Sequence, residues 1–74
     1  MGWTEAEDDR ILIAWQCQTI NEMNRVEATG VVQPHEEFWN GVCVHYLLCP
    51  PSAEPRSVSA ISHRWHYLVN RANE

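Results

Sequence analysis

Among the side chains of this chain that could take part in chemistry are three cysteines, four histidines and five arginines. A zinc site would need thiol and imidazole ligands at characteristic spacings. The candidates for such a site are Cys17, Cys43, Cys49, His45, His63 and His66. None of them has the C-x₂-C or paired-histidine spacing of a zinc finger. We therefore expect no metal and no cofactor.

A cysteine and a histidine can also act together as nucleophile and base. Nothing in the sequence supplies the pocket or the oxyanion hole that this chemistry needs. A chain of 74 residues also leaves little material for a deep pocket. We expect that the protein is not an enzyme and takes no small-molecule substrate. An odd number of cysteines without a secretory signal favours reduced thiols in the cytosol or nucleus.

Charge is unevenly distributed along the chain, whose net charge is −5 and which contains no lysine. Residues 1–54 hold nine acids and two arginines, for −7, whereas residues 55–74 hold one acid and three arginines, for +2. An acidic chain disfavours nucleic acid and membrane surfaces, but its last quarter does not disfavour nucleic acid. Ordinary scatter in a short chain explains the asymmetry equally well. No apolar run is long enough to span a bilayer.

Helical signals organise the chain into a single domain, residues 1–74. Thr4 and Glu7 form a capping box, and apolar residues then recur at helical spacing, which predicts a helix over about 5–21. A second helix is predicted over about 34–48, between Pro34 and the Pro50–Pro51 pair. A third is predicted over about 57–71, with Ser57 as its N-cap. The predicted fold class is all-α, a three-helix bundle.

Large apolar residues on the predicted inner faces should form the core of this bundle, because aromatic side chains dominate small cores. The candidate core residues are Trp3, Leu12, Trp15, Trp39, Val42, Ile61, Trp65 and Leu68.

Each predicted helix carries a tryptophan in a distinctive local pattern. The three patterns are W3-T4-x-x-E7-D8-x-x-I11-L12-x-A14, then F38-W39-x-x-V42, then R56-S57-x-x-A60-I61-x-x-R64-W65-x-x-L68. In this order they resemble the Myb/SANT-like family over about residues 3–69. The long stretch between Trp15 and Phe38 is similar to the trihelix and NAM-associated Myb-like branch. Ala6 stands where the family often has Glu, and residues 49–55 look like an insertion.

The resemblance implies a helix-turn-helix-like bundle of the Myb/SANT type. In DNA-binding members the third helix reads the major groove, whereas SANT members use the same fold to bind proteins, including histone tails. The fold alone therefore does not decide the function.

The third predicted helix carries the residue types that a DNA reader needs, namely polar groups for base edges and cations for phosphates. The candidate DNA-binding residues are Arg56, Ser59, His63, Arg64, His66, Asn70 and Arg71. Each has a structural alternative: Arg64 can pair with Glu7 or Asp8 of the first helix, and the histidines can be solvated polar residues.

Two functions follow as hypotheses. The leading one is a DNA-binding module of a nuclear transcription regulator, whose partner is double-stranded DNA. The second is a SANT-like protein-interaction module whose acidic first helix meets a basic peptide such as a histone tail. Homo-oligomerisation has no sequence signal for or against it.

Overall fold

The fold was obtained as a computed structural model, which describes residues 2–48 and 55–72. Within these ranges the chain contains three helices and no strand. The helices are α1 (Glu5–Thr29), α2 (His35–Leu48) and α3 (Val58–Ala72). The predicted all-α class of three packed helices is therefore confirmed. None of the helices within residues 2–48 and 55–72 combines the length and the apolar character that spanning a bilayer requires.

The start of α1 is fixed by the predicted capping box. The Thr4 hydroxyl accepts a hydrogen bond from the Glu7 backbone N–H at 3.1 Å, and the Glu7 carboxylate accepts one from the Thr4 N–H at 3.0 Å. Two backbone donors that the helix leaves without partners are thereby satisfied. Glu7 and Asp8 also place negative charge in the first turn, where the helix dipole favours it.

The end of α1 lies eight residues beyond the predicted position, so the prediction that this helix stops near Asn21 is wrong. No helix-breaking residue occurs before Gly30, which adopts the left-handed conformation with φ 72° and donates its N–H to the Val26 carbonyl at 2.7 Å. The apolar period fades after Ala14 because the inward face of α1 becomes polar. Gln18 is buried, and the face continues with Glu22 and Arg25.

The other two helices match their predicted ranges to within one residue. The Pro34 carbonyl accepts the Phe38 N–H at 3.0 Å, so Pro34 directly precedes α2. Ser57 caps α3, since its hydroxyl accepts the Ala60 N–H at 3.1 Å. The predicted loop between α2 and α3 lies mostly outside the described residues.

The core is formed where the three helices meet. Its buried members are Ile11, Ala14, Trp39, Val42, Tyr46 and Ile61. The predictions of Trp39, Val42 and Ile61 as core residues are confirmed. The other three predicted tryptophans are half-buried and pack against this cluster. Leu68 is also half-buried.

Leu12 is the one predicted core residue that is exposed, at 38% of its surface. The buried face of α1 runs through Ile11, Ala14 and Gln18, at helical spacings of three and four. Leu12 is one position beyond Ile11, about 100° around the helix, and therefore points away from the other two helices.

Three tryptophans, one from each helix, join the bundle at its centre. The Trp15 ring stacks on Trp65 with centroids 5.1 Å apart, and Trp39 meets Trp65 edge-on at 5.5 Å. Both arrangements are favoured by aromatic quadrupoles. Trp15 is therefore a packing residue of the bundle that links α1 to α3.

Candidate interaction surfaces

Arg56 is the first of the predicted phosphate-binding arginines, and it lies against α1. Its guanidinium donates to the Glu7 carboxylate at 2.9 Å and to the Gly2 carbonyl at 3.1 Å, and it stacks over the Trp3 ring at 4.2 Å. The hydroxyl of the fully buried Tyr46 donates to the same Glu7 oxygen at 3.3 Å. Arg56 therefore fastens the segment before α3 to the start of α1.

Arg64 is paired in the same way with Asp8, the next residue of α1. Its guanidinium donates to both oxygens of Asp8, each at 2.8 Å, and lies 4.6 Å from the Tyr67 ring centroid. Both side chains are about four-fifths buried. Arg64 was predicted either to contact DNA or to pair with an acid of α1. In the structure it forms the salt bridge to Asp8, which joins α3 to α1.

These salt bridges also shift the pKa values of Glu7, Arg56 and Arg64, in the direction that favours the charged forms. The backbone hydrogen bond from Thr4 lowers the pKa of Glu7, and Arg56 lowers it further against the opposing effect of burial. The hydrogen bonds to Glu7 and Asp8 raise the pKa values of Arg56 and Arg64. Both arginines therefore stay charged, and their charge is matched inside the domain.

The remaining predicted DNA-binding residues lie on the exposed side of α3. Ser59, His63, His66 and Asn70 recur at spacings of four, three and four and form one stripe, with the exposed Arg71 on its flank. His66 is held in place, because its Nδ1 lies 2.7 Å from the Ser62 carbonyl oxygen. Arg71 is the one arginine beside this stripe, and it forms no salt bridge among the described residues.

A groove of about 350 Å³ separates α2 from the first turns of α3. Trp39 and Val58 form its apolar part, and Ser59 and Ser62 line its α3 side. Glu36 lines the facing side, in the first turn of α2. An acidic side chain thus borders the end of α3 from which a recognition helix contacts base edges.

Exposed carboxylates outnumber exposed arginines on the described surface. Five acidic residues are exposed and form no salt bridge within residues 2–48 and 55–72: Glu5, Asp9, Glu27, Glu36 and Glu37. They occur at the N-terminal ends of α1 and α2 and near the C-terminal end of α1. The described surface is therefore predominantly acidic.

The sequence-based predictions missed the outer face of α1. Ile13, Ile20 and Met23 are each at least half exposed there. Their spacing is visible in the sequence, but the sequence alone does not show which of two apolar stripes on one helix faces the core. The exposed apolar residues of α1 belong to a second face, opposite the core.

A polar cleft of about 230 Å³ lies beside the second half of α1. Glu22 accepts the Gln33 backbone N–H at 2.7 Å and pairs with Arg25, while the Gln18 amide donates to the Gln33 side chain at 3.2 Å. The polar groups of this cleft bond to one another. They hold the segment between α1 and α2 in place.

The residues considered for metal or covalent chemistry are dispersed. In the part of the chain that the structure describes, no group of three or more His, Cys, Asp or Glu side chains could hold a metal ion. Cys17 is exposed, and Cys49 lies outside the described residues. The Cys43 thiol donates to the Arg56 carbonyl at 3.7 Å, and burial raises its pKa. A thiol in that environment is a poor nucleophile.

Comparison of the chain with family profiles gives no match, and neither does comparison with curated proteins or with solved structures. The resemblance to the Myb/SANT-like family therefore stands on the three tryptophan motifs alone.

Proposed function

We propose that this chain is a protein-interaction domain that recognises a basic segment of a partner protein. The observation that carries the proposal is the pairing of Arg56 with Glu7 and of Arg64 with Asp8. Two of the three arginines in the last quarter of the chain are therefore already paired with acids of α1. The five exposed carboxylates, in contrast, have no salt-bridge partner among the described residues.

Electrostatics then favours a cationic partner. Binding of duplex DNA depends on several cations that displace counterions from phosphates, and α3 retains only Arg71 for this purpose. Complementary potentials speed association and disfavour partners of like charge. The acidic surface attracts lysine- and arginine-rich segments and repels phosphates.

The resemblance to SANT-like domains supports the same proposal. The motif residues Glu7, Asp8, Arg56 and Arg64 form contacts between helices, so the motifs belong to the bundle and leave the ligand open. SANT members of that family bind proteins, histone tails among them. A chromatin partner of this kind implies a nuclear location.

A DNA-binding module in the same bundle is the second candidate function. It is favoured by the exposed stripe of Ser59, His63, His66 and Asn70, which no acidic residue of α3 interrupts. In this alternative α3 enters the major groove, polar side chains meet base edges and Arg71 contacts a phosphate.

Both candidates are tested by NMR titration of the labelled domain at low and at physiological salt. The ligands are a lysine-rich peptide, its counterpart with glutamine in place of lysine, and a mixed-sequence duplex. We expect shifts with the lysine peptide alone, weakened by salt and by Glu36→Gln combined with Glu37→Gln. The matched control is Val44→Ser, an exposed uncharged site on α2 away from the groove that Glu36 lines.

The opposite outcome is equally specific. Duplex-induced shifts confined to residues 57–71 that weaken with salt and disappear in Arg71→Ala would establish the DNA function instead. Arg71 is the correct probe because it is exposed. Replacing Arg64 would also break the salt bridge to α1.

A further inference from the structure

We infer that the outer face of α1 is a docking surface for an amphipathic helix with basic residues at both ends. This inference rests on the proposed function and names the surface and the form of the partner. The surface, called here the α1 seam, consists of Ile13, Gln16, Ile20 and Met23.

The spacing of the α1 seam is that of a coiled coil. Its members are separated by three, four and three residues, which are alternate a and d positions of a heptad. Ile13 is 50% exposed, Ile20 58% and Met23 65%. The seam lies opposite Ile11, so it points away from the other helices.

Single exposed apolar residues are normal on protein surfaces. The α1 seam is different because its apolar residues are aligned on one helix over about 15 Å. Leu12, which is 38% exposed, and Thr19 flank one side, while Cys17 and Asn24 flank the other. None of these flanking residues is charged. A second helix can therefore approach along the whole seam without desolvating a charge.

The ends of the seam decide which helix fits. Asp9 lies four residues before Ile13 and Glu27 lies four residues after Met23, so both continue the same line and both are exposed. A second copy of α1 would place Asp9 against Asp9 in a parallel pair and Asp9 against Glu27 in an antiparallel pair. Either arrangement brings carboxylates together. A partner helix with lysine or arginine at both ends and leucine-like residues between them would pair with these carboxylates and pack against the apolar residues of the seam.

Gln16 favours one alignment of the partner helix along the seam. A polar residue at one a or d position of an apolar seam favours the alignment in which it meets another polar residue. The partner helix should therefore carry one polar residue among its apolar contacts.

The test uses a designed helical peptide with lysine at both ends and leucine at its a and d positions, except for one glutamine placed to meet Gln16. Its control carries glutamate at both ends. Calorimetric titration should give binding of the lysine-ended helix at least about tenfold tighter than that of the glutamate-ended helix. Ile20→Ser combined with Met23→Ser should weaken binding by a similar factor. Val44→Ser, at a 54% exposed site on α2, should leave it unchanged, and circular dichroism should report intact helices in each variant.

Three outcomes would overturn the inference. The first is equal binding by the Val44 and the Ile20/Met23 variants, and the second is self-association of the free domain through the seam in sedimentation. The third is binding of the lysine-ended helix that is weakened by the Glu36 and Glu37 substitutions but not by the seam substitutions, which leaves the proposed function intact. Failure of both the lysine-rich peptide and the lysine-ended helix would overturn the proposed function itself.

Discussion

Glu7 connects the start of α1 to two distant parts of the chain. One carboxylate oxygen accepts the Thr4 backbone N–H, and the other accepts from Arg56 and from the Tyr46 hydroxyl. A single side chain thus completes the helix cap and joins α1 both to α2 and to the segment that precedes α3. Burial of the Tyr46 hydroxyl raises its own pKa, and the neighbouring charge of Glu7 raises it further.

The lowered pKa of Glu7 predicts an acid-sensitive stability. Because the folded state binds the Glu7 proton less readily than the unfolded state does, the stabilisation is complete above the ordinary Glu range. It is lost as the pH falls from about 5 through the lowered pKa. Urea unfolding of the wild type and of Glu7→Gln should therefore differ at neutral pH and converge in acid.

Glu5→Gln is the matched control, since it removes the same charge from an exposed residue in the same turn. Its free energy of unfolding should follow the wild-type pH dependence. A Glu7→Gln deficit that is the same size at every pH would mean that the side chain acts through its shape and hydrogen bonds, with no contribution from its charge.

At the scale of elements, the helix starts could be predicted because capping is local. Thr4 and Glu7, and likewise Ser57 and Ala60, lie within three residues of each other. The end of α1 could not be predicted, because its second half is held by contacts with the segment that follows. Gln33, eleven residues after Glu22, supplies the N–H that binds its carboxylate.

The candidate surfaces likewise include one contact that the sequence predicts and one surface that it does not. Pairing of Arg64 with α1 could be proposed from the sequence, but the choice of Asp8 over Glu7 depends on how the helices pack. The α1 seam could not be recognised, because an apolar residue is identified as exposed only when the buried face is known. Ile11 and Ala14 define that face, and Ile13 falls outside it.

Where α1 and α2 cross, replacing the helical Gly41 by alanine should lower the stability of the domain, which is the opposite of the usual effect of this change. Alanine normally stabilises a helix interior by about 1 kcal/mol relative to glycine. A Cβ at Gly41, however, would clash with the amide of Gln18, which is only 8% exposed and donates to Gln33. Gly41→Ala should therefore destabilise the domain by roughly 1 kcal/mol in urea unfolding.

The same substitution should become stabilising once Gln18 is shortened. In a Gln18→Ala background the space is available, so Gly41→Ala should recover the ordinary helix-propensity gain. Asn40→Ala, at the exposed neighbouring site, reports the propensity effect alone. Additivity of the Gln18 and Gly41 substitutions would mean that the two side chains do not compete for this space.

For the whole molecule, the domain is fastened most tightly near the start of α1. The salt bridges of Glu7 and Asp8 lie at this end, and the stacking of Trp15 on Trp65 joins the same two helices. The second half of α1 contacts the chain through the polar groups around Gln33. The α1 seam and the exposed carboxylates of α2, Glu36 and Glu37, lie outside this region, so ligands can be tested with variants that leave the bundle intact.

This arrangement predicts that the Asp8–Arg64 pair contributes more to stability than the Glu22–Arg25 pair. The first joins two helices through two 2.8 Å hydrogen bonds between mostly buried side chains, whereas the second lies within one helix and its arginine is 38% exposed. Double-mutant cycles with Asp8→Asn and Arg64→Gln should give a coupling of about 1 kcal/mol. The corresponding cycle for Glu22 and Arg25 should give roughly 0.3 kcal/mol, and salt should reduce that smaller coupling more strongly. Equal couplings would mean that the contact between α1 and α3 adds no more stability than a local pair, and that packing of the three tryptophans holds these helices together without it.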